Sequence, residues 1–129
     1  MHRRKVILYF ILAAYWLTIF IFTSIPAQSM PSIKISDKIN HFLAYFILSG
    51  LFYVTANIQT RFKNLARNPI FWTAIVVSLY AIADELHQML IPGRLCEFYD
   101  LLANFIGIVF GIAFGFMVIK SLSLKKIFS

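Results

Sequence analysis

Three short stretches of this sequence place carboxylates beside histidine, phenol and amide side chains at helical spacing. They are Asp37, His41 and Tyr45; Asp84-Glu85-x-His87-Gln88; and Asp100 with Asn104. Residues three or four apart lie on one face of an α-helix, so each stretch predicts one polar helix face. Arg94 lies between the second and third stretches, where we expect it to pair with one of their carboxylates.

These residue types indicate acid–base chemistry. Two carboxylates that lie close together in a low-dielectric site can share a proton and act as a general acid–base pair. Asp84 and Glu85 are therefore candidate catalytic residues, with His41 as a second acid–base group. The alternative is an ion network that only holds helices together. The motifs of zinc metalloproteases, phosphate-binding loops and serine hydrolases are absent from the sequence.

The nearest approach to a metal-binding pattern is Asp84-Glu85-x-His87 together with His41 or Asp100. Oxygen and imidazole ligands of this kind can hold a divalent ion. Adjacent residues point about 100° apart on a helix, so both carboxylates reach one ion only with help from other helices. We therefore predict no metal centre and no cofactor, with a divalent metal ion as the alternative.

The composition predicts a membrane protein. Of 129 residues, 60% are hydrophobic and 13% are charged, and the mean hydropathy is +0.80, whereas soluble domains are about 45–50% apolar and about 25% charged. This balance excludes a soluble enzyme, a disordered chain and a disulfide scaffold. Membrane topology explains the net charge of +7, so no nucleic-acid partner is predicted. A single cysteine, Cys96, excludes an intramolecular disulfide.

Four apolar segments are long enough to cross a bilayer as α-helices, which takes about 20 residues. They cover residues 6–25, 39–58, 70–91 and 101–119. The first is predicted to be a retained anchor helix, because its apolar run exceeds the roughly 7–15 residues of a signal peptide. Pro69 suits the first turn of the third helix, and Pro92-Gly93 breaks that helix. We predict one domain over residues 1–129, an all-α bundle of four transmembrane helices.

Basic residues predict the orientation of the bundle, because positively charged loops stay in the cytoplasm. The N-terminal segment, the second loop and the C-terminal tail together carry nine Lys and Arg residues, and the first and third loops carry three. Both termini are therefore predicted to be cytoplasmic, which places the carboxylates in a cluster at the outer face. Asp84 lies about 21 Å along the third span, where an ionisable side chain indicates a functional site.

Gly107, Gly111 and Gly115 continue the stripe of Asp100 and Asn104 along the fourth span. Small residues every four positions let helices approach closely, so this stripe is predicted to be a packing seam, either within the chain or between chains. Asp100 and Asn104 are then expected to point into the bundle, toward the third span. The oligomeric state stays open.

Together, the polar stretches resemble the VanZ-like family of small bacterial membrane proteins. The resemblance rests on Asp37-Lys38-x-x-His41, Tyr45-Phe46, Asp84-Glu85-x-His87-Gln88, Pro92-Gly93-Arg94 and Asp100-x-x-x-Asn104-x-x-Gly107-x-x-x-Gly111, in this order over residues 37–111. It implies a family-like core that follows the first transmembrane helix. It also implies that the ligand-binding positions are Asp37, Lys38, His41, Asp84, Glu85, Gln88, Arg94, Asp100 and Asn104.

Some members of that family confer low-level resistance to teicoplanin, so the resemblance implies a function at the cell envelope. We expect a multi-pass protein of the bacterial cytoplasmic membrane whose outer-face pocket engages an envelope lipid or a glycopeptide-type ligand. Arg94 and Lys38 are expected to contact anionic groups of that ligand.

The alternative function is a membrane-embedded hydrolase or transferase acting on a lipid-linked substrate. In this hypothesis Asp84 or Glu85 is the base and His41 the second acid–base group, while Arg94 stabilises developing negative charge. A transport role is disfavoured, because no charged residue lies in the cytoplasmic half of any predicted span.

Overall fold

A computed structural model describes residues 2–26, 37–94, 97–122 and 126 of the chain. These residues are mostly helical and contain no strand, as predicted. The helices are α1 (His2–Thr23), α2 (Asp37–Ile58), α3 (Lys63–Arg67), α4 (Pro69–Gln88) and α5 (Phe98–Leu122). All except α3 are long and apolar enough to cross a membrane, which confirms the four-helix membrane architecture. Cys96 lies outside the described residues.

The ends of α4 follow its turn-forming residues. Pro69 occupies the first turn, as predicted, where its missing N–H leaves no helical hydrogen bond unmade. The helix ends at Gln88, before the predicted limit at residue 91, because the N–H of Leu90 turns back to the His87 carbonyl at 3.0 Å. Gly93 then takes a φ of 76°, a conformation that glycine adopts at little cost.

The central helix of the bundle is α2, which packs against α5, α4 and α1. Lys38, near the start of α2, pairs with Asp100, near the start of α5, so these two helices run parallel. The buried apolar core draws on all four spans and consists of Ile19, Tyr45, Leu48, Val77, Ala81 and Ile108. The interior is therefore organised around α2.

The glycine stripe of α5 packs against α2 of the same chain. A Cβ atom added at Gly107 would overlap the carbonyl oxygen of Phe42, and one added at Gly111 would overlap the carbonyl oxygen of Phe46. Gly115 makes a similar close approach farther along the helix. The predicted packing seam is thus confirmed, and it lies within the chain.

The most peripheral span is α1, in which Ile19 is the buried residue. The Tyr15 hydroxyl donates a hydrogen bond of 2.8 Å to the Ala44 carbonyl of α2. Trp16 packs edge-on against Tyr80 of α4, with ring centroids 5.1 Å apart. Much of the rest of α1 is exposed and apolar, which suits contact with lipid. The helix therefore forms an outer wall of the bundle.

Basic residues gather at the end of the bundle opposite the α4–α5 turn. Lys5, Lys63 and Arg67 line one cavity of about 410 Å³ there. The N-terminal segment and the second loop therefore share one side, which the charge count predicts to be cytoplasmic.

The orientation can be tested by cysteine labelling in a Cys96→Ser background. We expect Pro92→Cys, in the α4–α5 turn, to react with a membrane-impermeant maleimide in intact cells. Asn64→Cys, in α3, should react only after the cells are permeabilised, because the basic side of the bundle faces the cytoplasm. Both positions are exposed, so burial does not limit either reaction. The opposite labelling pattern would overturn the predicted orientation.

The α2–α5 seam predicts a difference between two glycine substitutions. Gly111→Ala should destabilise the protein by about 1–3 kcal/mol, because its Cβ would press into the backbone of α2. Gly50→Ala is the matched control, since its Cβ would lie 3.4 Å from the Gly111 carbonyl oxygen, an ordinary contact. Thermal unfolding in detergent compares the two variants. Equal melting temperatures would contradict the close approach.

Candidate functional site

Polar side chains from α2, α4 and α5 converge at the end of the bundle that carries the α4–α5 turn. The buried side chains in this group, each at most 9% exposed, are His41, Tyr45, Asp84, Glu85, Gln88, Asp100 and Asn104. We call these residues the polar cluster. Buried polar groups within a membrane span need partners inside the protein. The contacts within the cluster therefore determine what chemistry it can perform.

His41 lies at the centre of the cluster and is held by Asn104, whose Oδ1 lies 2.9 Å from His41 Nδ1. An amide oxygen only accepts hydrogen bonds, so Nδ1 donates this one. Nε2 lies 3.6 Å from Oδ2 of Asp100 and 3.7 Å from Oδ2 of Asp37.

Asp100 and Asn104 point into the bundle, as expected, where both lie near Glu85 of the third span. Both side chains also contact α2, through Lys38 and His41, because the glycine seam brings α5 against α2.

Lys38 is held by two carboxylates at the start of α5. Its Nζ donates to Oε2 of Glu97 at 2.6 Å and to Oδ1 of Asp100. The Asp100 side chain is only 4% exposed, so the ammonium compensates a buried charge and joins the first turns of α2 and α5. Contact between Lys38 and a ligand anion stays a prediction, in which the ligand competes with these carboxylates.

Asp84 combines one paired and one unpaired oxygen. The Tyr45 hydroxyl donates to its Oδ2 at 2.8 Å. Within the described part of the chain, Oδ1 of Asp84 and Nε2 of Gln88 are buried without a hydrogen-bond partner. One helical turn separates these two residues, so an acceptor and a donor lie on the same face of α4.

Glu85 faces a different part of the cluster. It is 1% exposed, and its Oε1 lies 3.5 Å from Nδ1 of His41. Neither oxygen forms a hydrogen bond with another described residue. Because adjacent helical residues point about 100° apart, Asp84 and Glu85 meet different partners although both are buried.

A cavity of about 330 Å³ lies between α1, α2 and α4, beside the polar cluster. The predicted ligand positions that line it are Asp37, His41, Asp84, Gln88 and Arg94. The other predicted positions, Lys38, Glu85, Asp100 and Asn104, are not part of this lining. The wall formed by α1 consists of Tyr15, Thr18, Ile19, Phe22 and Thr23. The three hydroxyls among them donate to backbone carbonyls, so this side is less polar than the side formed by α2 and α4.

Arg94 forms no ion pair with a carboxylate of the described residues, which corrects the expected pairing. Its Nε donates to the Ile25 carbonyl at 3.1 Å and its Nη2 to the Phe22 carbonyl at 2.9 Å. The last carbonyls of a helix lack partners within the helix, and a cation is favourable there. Arg94 therefore fastens the α4–α5 turn to the end of α1.

His87 also departs from its expected place beside Asp84 and Gln88. Its Nε2 lies 2.9 Å from Oγ of Ser24, and its ring stacks on Phe20 at a centroid distance of 5.2 Å. The helix that turns Gln88 toward α2 turns the preceding residue toward α1. The metal pattern that includes His87 is consequently not assembled.

Tyr45 and the α1 wall belong to the site in addition to the nine predicted ligand positions. Tyr45 carries a usable signal, because it lies four residues after His41 on the same helix face. Ile19 and Phe22 carry no such signal, because their apolar side chains resemble those of the residues that face lipid.

The contacts of Arg94 predict that it stabilises the end of α1. Arg94→Lys replaces the planar guanidinium, whose N–H groups reach two carbonyls, by an ammonium group with a single nitrogen. We expect the amides of Ser24 and Ile25 to exchange hydrogen about tenfold faster, equivalent to losing roughly one hydrogen bond. Hydrogen exchange measured by mass spectrometry in a lipid nanodisc tests this expectation, with Arg67→Lys in α3 as the control. Unchanged exchange at both amides would contradict the proposed role.

The family model described as VanZ/LLP1 matches residues 6–120. No curated protein and no solved structure matches the chain. The family match includes α1, which precedes the region of about 37–111 that carries the sequence resemblance. Because the match covers most of the chain and the structure has four helices suited to cross a membrane, this chain is a multi-pass membrane protein of the VanZ/LLP1 family.

Proposed function

We propose that this protein binds the head group of a cell-envelope lipid in the cavity between α1, α2 and α4. The cavity opens near the outer leaflet of the bacterial cytoplasmic membrane if the basic end faces the cytoplasm. The observation that carries the proposal is a pair of residues in the cavity wall, Asp84 and Gln88, each of which has a buried polar atom (Oδ1 and Nε2, respectively) that no described residue satisfies.

A buried polar atom without a partner costs about 1–3 kcal/mol, so a ligand that satisfies these two atoms gains favourable free energy. The carboxylate oxygen accepts a hydrogen bond and the amide nitrogen donates one. A hydroxyl or a peptide amide can meet both requirements. Sugars and short peptides carry many such groups, and we therefore favour a lipid with a sugar or peptide head group.

The opposite wall suits the apolar part of such a lipid. Ile19 and Phe22 of α1 line the cavity, and α1 borders the bilayer along its exposed apolar side. The cavity volume of about 330 Å³ is near the lower limit of roughly 300–1,000 Å³ for small-molecule pockets. This size favours a head group over a whole glycopeptide antibiotic. Any effect on teicoplanin-like antibiotics then follows indirectly, from binding of an envelope lipid.

The enzyme hypothesis uses the same cavity. Asp84 offers an unpaired carboxylate oxygen there, as a general base requires. Against it, Glu85 lies outside the lining and the guanidinium of Arg94 is engaged by α1 carbonyls. Binding without conversion is therefore the function that the geometry supports better.

The proposal is tested by incubating purified wild type, Asp84→Asn and Glu97→Gln with a total envelope-lipid extract. Bound lipids are then identified by mass spectrometry. We expect one lipid species to be enriched on wild type and on Glu97→Gln, an exposed acid outside the cavity. Its occupancy on Asp84→Asn should fall by about tenfold or more, because a hydrogen bond to a charged group is worth roughly 1.5–3 kcal/mol.

A melting curve first confirms that Asp84→Asn is folded. Conversion of a lipid to a new species by wild type alone would replace the binding proposal with the enzyme hypothesis. Equal lipid occupancy on all three proteins would refute the proposed site.

A further inference from the structure

Three possible metal ligands meet at the start of α2 and α5. Nε2 of His41 lies 3.6 Å from Oδ2 of Asp100 and 3.7 Å from Oδ2 of Asp37, and one ligand atom from each residue lies within 4.8 Å of the others. We propose that Asp37, His41 and Asp100 bind one divalent transition-metal ion of the zinc or manganese type. This site differs from the sequence pattern centred on Asp84-Glu85-x-His87.

The spacing of these atoms suits a common metal ion. Zinc lies about 2.0–2.2 Å from nitrogen and oxygen ligands, so tetrahedral ligands are about 3.3–3.6 Å apart. The two distances from Nε2 of His41 to the carboxylates are close to this separation. They are too long for hydrogen bonds, so the three side chains approach one another without bonding directly.

The surroundings prepare His41 to act as a ligand. Metal binding requires a neutral imidazole with a free lone pair, and the other ring nitrogen then usually donates to an oxygen that fixes the ring. Asn104 provides that oxygen at 2.9 Å from Nδ1. The arrangement leaves Nε2 as the metal-binding atom, directed at the two carboxylates.

The balance of charge gives an independent argument. Three carboxylates surround His41, those of Asp37, Glu85 and Asp100. Apart from His41 itself, the basic side chain that pairs with them in the described structure is Lys38, which Asp100 shares with exposed Glu97. Glu85 is 1% exposed. A dication on Nε2 would add positive charge to this group of buried carboxylates.

The proposed ion would retain open coordination positions, because the chain provides three ligands. Asp37 and His41 also line the cavity between α1, α2 and α4, so those positions face the space where a ligand can enter. Metal binding itself does not depend on the lipid-binding proposal, since it can be measured without lipid.

The test uses the full chain, purified in detergent with any affinity tag removed and stripped of metal with a chelator. Zinc or manganese is added, excess ion is removed, and the bound metal is counted by mass spectrometry. We expect one ion per wild-type chain. Magnesium and calcium should not compete at equal concentration, because both prefer sites made entirely of oxygen.

Asp37→Asn is the main variant, because the Asp37 side chain is 63% exposed and its loss should leave the fold intact. We expect its metal affinity to fall by about tenfold or more, and the same for His41→Gln. Glu97→Gln is the matched control, since it removes one nearby negative charge outside the site and should change affinity less than twofold. Zinc should raise the melting temperature of wild type and of Glu97→Gln by similar amounts, and that of Asp37→Asn by less.

Absence of stoichiometric binding to wild type would overturn the proposal. Equal weakening by Asp37→Asn and Glu97→Gln would also overturn it, because that result would indicate diffuse electrostatic attraction instead of ligation.

Discussion

The backbone contact between α2 and α5 is the constraint on which the other features depend. Gly107 and Gly111 let the two helices touch along parallel axes, and the same face of α5 places Asp100 and Asn104 beside the start of α2. The position of His41 opposite these residues is therefore determined by backbone contact. Because the backbones touch, the seam leaves little room for adjustment, which keeps the polar groups in register.

The second constraint is the membrane, which makes unsatisfied polar groups costly. The protein places its buried carboxylates between helices and away from the lipid-facing surface. Their surroundings differ: Asp100 is compensated by Lys38, Asp84 accepts from Tyr45, and Glu85 faces His41 without a hydrogen bond. This uneven satisfaction supports the proposed binding role of the cluster over that of a fully paired ion network.

Sequence periodicity predicted the four spans and the polar faces, because length, hydropathy and helical spacing are local properties. It did not predict the partner of each face. Asp100 and Asn104 share a stripe whichever helix they meet. Only the packed structure shows which side chains of the neighbouring helices contact them. The expected ion pair of Arg94 with a carboxylate was wrong, because its partners are backbone carbonyls. Backbone carbonyls leave no signature in a sequence. The α3 helix was missed because it is a short helix in a polar segment.

The bonds from Arg94 to the end of α1 also bear on how this protein can change over evolution. The guanidinium binds the carbonyl groups of Phe22 and Ile25, and every amino acid provides a carbonyl. Substitutions among apolar residues at these two positions preserve the attachment as long as α1 ends in the same place. Side chains at these two positions can thus change without loss of the attachment, whereas the arginine that holds the helix cannot be replaced as readily.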